Sequence, residues 1–293
     1  MKLSLGFSPC PNDTFIFDAL IHHKIDTEGL EFEVFYEDVE TLNQKAFQGE
    51  LAVTKLSYHA YAYAVPHYVL LDAGSALGFG VGPLLICRRS ELAEQLSAVA
   101  VGQHASSIGP SPADGLIVGI PGRYTTANFL LGLAFPGLKN KREMVFSDIE
   151  RALVEGSIDL GLIIHENRFT YQDKGLHKVI DLGDYWEKMT QAPIPLGGIV
   201  VKRQLPDEVK RRIERTIRRS VEYAFANPTS GIDFIRSHAQ EMSEDVLYKH
   251  IELYVNRFSR TLGAEGRLAI QTLFDKAWEL GVVPRPTNDL FLS

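Results

Sequence analysis

The chain has 293 residues, of which 45% are apolar and 23% charged, a balance that excludes a disordered chain and supplies core for one large domain or two ordinary ones. Thirty basic against 37 acidic side chains leave a formal charge of −7 with no basic block, which argues against a nucleic-acid surface. Two cysteines, Cys10 and Cys87, cannot form a disulfide framework, and no Cys/His grouping has zinc spacing.

Lys2–Phe7 reads as a short apolar strand. It is too short for a signal-peptide core and runs at once into Pro9, Pro11, Asn12 and Asp13. No apolar run is long enough to span a bilayer, so neither a membrane nor a nucleic acid is an expected partner, and a cytoplasmic location is expected. A helix follows, with Phe15, Ala19, Leu20 and His23 on one face and Asn12, Asp13 or Thr14 as its cap. The plan repeats with strand Leu30–Tyr36, the acidic turn Glu37-Asp38 and helix Val39–Gln48. A third unit has strand Glu50–Thr54, a turn at Lys55-Leu56-Ser57 and helix Tyr58–Ala64. Such alternation predicts a parallel or mixed sheet covered by helices.

A second series starts after Val81–Arg88. Strand Leu116–Ile120 meets Pro121-Gly122, and a helix runs from Thr125-Thr126 to Phe135. Ser147-Asp148-Ile149-Glu150 has the form of a capping box opening a helix that ends near Gly156. Strand Leu160–Ile164 then delivers His165 at its carboxyl end. From Leu205 the pattern is helical, with starts at Pro206 and Ser243 and breaks at Gly263 and Gly281. The basic cluster Lys210–Arg219 alternates with apolar residues and reads as the solvated face of a helix, whereas Ala98–Gly115 reads as a surface loop. The glycine-led strands Gly82–Arg88 and Gly197–Arg203 look like the two passages of a discontinuous domain. They would place residues 1–86 with 198–293 in lobe one and 87–197 in lobe two.

In open α/β sheets ligands gather beyond the carboxyl ends of strands, where helix N-termini offer unpaired N–H groups. Ser8–Thr14, Lys55–Ser57, Gly122–Thr126 and His165-Glu166 all fall at such ends, two in each lobe, where they could line a cleft from both sides. Lys55 and Ser57 could hold a carboxylate, or Ser57 could simply cap a helix beside a solvated lysine. Thr125 and Thr126 form either an anion site or an N-cap. His165 is suited to general base chemistry near neutral pH, although a lone histidine is also a common structural residue. Cys10, wedged between Pro9 and Pro11, reads as a structural turn rather than a nucleophile. No Walker loop and no Gly-x-Ser-x-Gly elbow occurs.

Taken as a set, Gly6–Phe15, Glu37–Asn43, Thr54–Tyr58, Gly119–Ala127 and Ile164-His165-Glu166 resemble the 1,4-dihydroxy-6-naphthoate synthase family of the futalosine route to menaquinone. The likeness runs along essentially the whole chain. It implies a two-lobed α/β fold like that of type II periplasmic binding proteins, with mixed sheets flanked by helices and a cleft between lobes. It also implies a lyase that converts cyclic dehypoxanthine futalosine to 1,4-dihydroxy-6-naphthoate and dihydroxyacetone, a chemistry that makes physical sense without a cofactor, and neither metal nor cofactor is expected. Matching positions would make His165 the proton acceptor and put Lys55, Leu56, Ser57, Thr125 and Thr126 against substrate, with Asn12, Asp13 and Thr14 of the first strand-end motif also expected to bind it. The alternatives are a non-catalytic binding protein for a small carboxylate and the sibling chorismate dehydratase. The motifs at Ser8–Phe15 and His165 favour the synthase.

Overall fold

Strand and helix alternate along most of the computed structural model, which describes residues 1–101, 113, 115–239, 243–286 and 288–292. The chain forms two units, Met1–Gly78 with Pro195–Ser293, and Phe79–Ile194. The passages thus fall at 78/79 and 194/195 rather than at 86/87 and 197/198. The reason for the first is pairing: Leu84–Cys87 is hydrogen-bonded on both edges inside the second unit's sheet, so the chain must cross before it.

The first unit opens with β1 (Lys2–Phe7), α1 (Pro11–Ile21), β2 (Glu31–Tyr36), α2 (Val39–Phe47), β3 (Val53–Ser57), α3 (Tyr58–Ala64), β4 (Tyr68–Leu70) and β5 (Ala76–Gly78). Leu3, Leu5 and Phe7 alternate into the core, as a period-2 strand requires. Gly6 lets α2 and the following loop close over β1, since a Cβ there would lie 2.4 Å from Leu51 Cδ1. Cys10 is the N-cap of α1, and Pro11, which needs no N–H partner, takes the first helical position. Asn12, Asp13 and Thr14 therefore lie inside the first turn and do not cap it, contrary to expectation. His23 is beyond the helix, with φ +52°. The acidic turn behaves as read: Asp38 caps α2 by accepting from the N–H groups of Glu40 and Thr41.

The expected turn at Lys55-Leu56-Ser57 is instead strand, buried along its whole length. Tyr58, Tyr61 and Tyr68 are fully buried and belong to the core. Burial raises all three phenol pKa values. Tyr68 donates to the Leu51 carbonyl at 2.7 Å, which satisfies its hydroxyl inside the core.

In the second unit come β6 (Leu84–Cys87), α4 (Ser90–Val101), β7 (Val118–Ile120), α5 (Thr126–Ala134), β8 (Lys141–Glu143), α6 (Ile149–Glu155), β9 (Leu160–Ile163), α7 (Asn167–Thr170), β10 (His177–Asp181) and α8 (Leu182–Thr190). Residues 98–101 of the expected loop are the end of α4, and 102–112 and 114 lie outside the described residues. The capping box does not form. Asp148 is the N-cap of α6 without a side-chain bond, and Glu150 turns inward. Gly156 ends α6 with φ +75°, as its position suggested.

The chain returns to the first unit with β11 (Ile194–Lys202), α9 (Asp207–Ala226), α10 (Ile232–His238), α11 (Glu244–Tyr254), α12 (Arg257–Arg260) and α13 (Gly263–Glu279). Ile213, Ile217, Val221 and Ala224 form the buried stripe of α9. Lys210 is an exception to the solvated basic face, being buried with its Nζ 2.7 Å from Asp207.

The first sheet has the order β2-β1-β3-β11-β4, with β5 on β11. β1 is parallel to β2 and β3, while β11 is antiparallel to β3 and β4. The second has the order β10-β6-β9-β7-β8, parallel across β9, β7 and β8 and antiparallel at β6. Both sheets are thus mixed and helix-covered. Among the described residues no helix is long and apolar enough to cross a membrane.

Candidate active site

Parallel neighbours β1 and β3 bring the Ser8–Thr14 motif and the Lys55–Ser57 motif to one edge of the first sheet. Asp13 is the hub. Its Oδ1 accepts from Lys55 Nζ at 2.6 Å and from Asn12 Nδ2 at 2.8 Å, and its Oδ2 accepts from Ser8 Oγ at 2.8 Å and Ser8 N–H at 3.3 Å. Lys55 also donates to the Gly74 carbonyl at 3.2 Å. Both charged partners are buried, Asp13 at 2% and Lys55 at 6% exposure. Lys55 is therefore not the solvated cation of the simpler reading. Its charge is matched by a carboxylate in the first turn of α1, a position the helix dipole also favours.

Other members of the motifs are equally committed. Thr14 donates its hydroxyl back to the Cys10 carbonyl at 3.1 Å. Ser57 does not cap α3 with its side chain. Instead Asn43 of α2 grips it, accepting from Ser57 N–H at 3.0 Å and donating to Ser57 Oγ at 3.3 Å. The Leu56 side chain is buried, and Gly197 allows β11 to approach it, since a Cβ there would lie 2.7 Å from the Leu56 carbonyl oxygen. Leu56 can meet a ligand only through its main chain.

One partner escaped the sequence. His250 of α11, fully buried, has Nε2 2.9 Å from Asn12 Oδ1. With Asn12 Nδ2 donating to Asp13, that oxygen is the acceptor, so the imidazole donates from Nε2. A chain His250–Asn12–Asp13–Lys55 results. Nothing in the local pattern around His250 signals a partner 238 positions away.

In the second unit Thr125 is the N-cap of α5, accepting from Asn128 N–H at 3.2 Å and donating to the Gly122 carbonyl at 2.9 Å. The N-cap of this turn is thus formed, and Thr126 is buried at the first helical position. Asn128 in turn donates to the Arg123 carbonyl and accepts from Lys141 Nζ, each at 2.7 Å. Burial, with Lys139 nearby, lowers the pKa of Lys141.

His165 lies two residues past the end of β9, with φ +62°. A left-handed backbone at a residue with a Cβ costs about 1–2 kcal/mol, and such outliers gather at functional sites. Its imidazole is half-buried and tilted against Phe146, with ring centroids 4.7 Å apart. The segment that follows is a helix of four residues and a 3₁₀ turn, Tyr171–Lys174. Arg168 ties it to Asp181 at 3.0 Å and to the Gly82 carbonyl. Asn167 ties it to Glu150 at 2.6 Å. Burial raises the Asp181 pKa, with Arg168 opposing.

Two mixed, helix-covered sheets, visited by a chain that leaves the first unit and returns to it, define the periplasmic-binding-protein-like class. Solved structures agree. A crystal structure of an Archaeoglobus fulgidus protein superposes with a TM-score of 0.85 at 34% identity, covering 96% of this chain and 98% of that one. The ligand-binding component of an ABC-type import system from Staphylococcus aureus gives 0.69 at 15% identity, covering 100% and 96%. This second likeness speaks to fold alone. The family model for menaquinone biosynthesis matches residues 3–279, and the chain belongs to that family. A Thermus thermophilus protein named 1,4-dihydroxy-6-naphthoate synthase is 45% identical over 291 residues, 99% of each chain. A Streptomyces coelicolor protein of the same name is 38% identical over 287 residues, covering 96% of this chain and 95% of that one. The chain is an enzyme of menaquinone biosynthesis.

Proposed function

We propose that the protein is a carbon–carbon lyase that converts cyclic dehypoxanthine futalosine to 1,4-dihydroxy-6-naphthoate and dihydroxyacetone, with His165 as the general base. The observation that carries the assignment of the base is the placement of His165: a half-buried imidazole on a left-handed turn at the carboxyl end of a buried strand. The reaction needs a proton acceptor and no change of oxidation state. His165 removes a proton from the sugar-derived part of the substrate and a retro-aldol type cleavage follows. Aromatisation of the released bicycle draws the reaction forward. A positioned base contributes about 10²–10⁴-fold in rate.

Lys55, Leu56, Ser57, Thr125 and Thr126 contact the substrate in this reading. Asn12, Asp13 and Thr14 hold Lys55 and the start of α1 in place. Because Asp13 already matches the charge of Lys55, the aryl carboxylate is assigned to the start of α5, and the Lys55–Ser57 edge takes hydroxyl groups. Incubating the purified protein with cyclic dehypoxanthine futalosine, without metal or nucleotide, and following the naphthoate by chromatography tests the reading. Product from wild type and none from His165→Ala is the expected result. Equal product from both would remove the base assignment, and binding without turnover would remove the lyase.

A further inference from the structure

We propose that Glu150 is a positioning residue for His165, a proposal that rests on the reading of His165 as the base. Glu150 lies in the first turn of α6, where its sequence context suggested only a helix cap. It is 2% exposed, and a carboxylate that deep is costly unless donors meet it. Both donors come from the segment immediately after His165. Asn167 Nδ2 donates to Glu150 Oε2 at 2.6 Å, and Lys174 Nζ bonds the same oxygen. One buried atom thus fixes a residue two positions after His165 and the last residue of the 3₁₀ turn.

The same short piece of chain also touches the imidazole itself. Phe146, four positions before Glu150, is the ring packed on His165 at 4.7 Å. Phe146–Glu150 therefore holds both the imidazole and the backbone that carries it. This support has a purpose that a free turn would not need. Left-handed φ at His165 is intrinsically disfavoured for a residue with a Cβ, and the four-residue α7 is too short to be stable by itself. Without the anchor the turn relaxes toward ordinary dihedrals and the imidazole leaves Phe146. Misplacement of a reacting group by about 1 Å is enough to cost about 100-fold in rate.

The test uses the full chain labelled at histidine Cε1, with the His165 resonance identified by its absence in His165→Ala. In wild type the Phe146 ring current displaces it, and Phe146→Leu gives the undisplaced position. Glu150→Ala is expected to move the resonance toward the Phe146→Leu position. It should lower kcat about 10- to 100-fold with KM within about twofold. Glu150→Gln keeps an acceptor oxygen for Asn167, so the resonance and most of kcat return. An unmoved resonance in folded Glu150→Ala would overturn the proposal, as would a Glu150→Gln protein that behaves like Glu150→Ala. A moved resonance with unchanged kcat would support Glu150 as the anchor of His165 and instead overturn His165 as the base.

Discussion

The strand-end motifs of the two units solve opposite problems. At the edge of the first sheet Asp13, Lys55, Asn12, Ser8 and His250 are linked by hydrogen bonds, both charges are buried, and no residue of the cluster has left-handed φ. At the end of β9 the chain instead accepts an unfavourable φ at His165, leaves the imidazole half-buried, and ties down its flanks with ion pairs and hydrogen bonds. A neutralised, closed network is rigid and chemically quiet, which suits recognition. A strained turn with an accessible ring suits proton transfer. With His165 as the proposed base, the contrast suggests a rule: a strand end supplies a candidate ligand-facing edge, and the local energetics decide which edge is fitted for chemistry.

The largest effect should come from replacing the ring while sparing the turn. Asparagine tolerates left-handed φ, so His165→Asn is expected to lose turnover by about 10²–10⁴-fold with the melting temperature nearly unchanged. His165→Val loses turnover equally and also stability, because a β-branched residue is a real outlier at this φ. If the two variants melt together, the backbone strain is not a feature of the folded protein in solution. If His165→Asn keeps its turnover, the division between a quiet edge and a reactive one fails.

Next in size is the quiet edge itself. Removing one member of a buried ion pair strands the other, at about 3–5 kcal/mol. Lys55→Met is expected to show that loss in urea unfolding, and the double replacement Lys55→Met with Asp13→Leu should recover part of it. A loss under about 1 kcal/mol, the range of exposed pairs, would mean that Lys55 is effectively solvated and its charge is available to a substrate carboxylate. His250→Leu leaves the Asn12 oxygen without its donor and should cost about 1–3 kcal/mol, while His250→Gln, which keeps a donor at that reach, should cost less.

These residues also show where sequence stops informing. β1, α1, β2 and α2 are legible because periodicity and turn residues act locally, and Asp38 caps α2 within three positions. Lys55 and Ser57 read as a turn because polar residues rarely fill a fully buried strand. What permits them is Asp13, 42 positions away, and Asn43, 14 away. Glu150 reads as half of a capping box because its true partners, Asn167 and Lys174, are 17 and 24 positions on. The boundary between units is set by the two-sided pairing of β6, which no local pattern encodes. His165 was legible as a strand-end histidine, but its left-handed φ and the clamp around it were not.

The smallest effect sharpens the account of the second unit. Glu187 of α8 accepts from the Gly80 N–H at 2.7 Å, and its pKa is raised chiefly by burial, with Asp184 and Asp181 adding repulsion. A carboxyl whose folded pKa exceeds its unfolded one binds protons more readily when folded. Its charged form therefore costs stability above the folded pKa, and the cost disappears as pH falls through that value toward the unfolded pKa. Glu187→Gln keeps the acceptor for Gly80 and removes the charge. It should raise the melting temperature at pH 7 slightly, by about 1–3 °C, and the gain should shrink to nothing near pH 4, where the wild-type carboxyl is itself protonated. A gain that is independent of pH would assign the effect to packing. A loss at pH 7 would mean that the charge strengthens the Gly80 bond by more than the neighbouring aspartates oppose it.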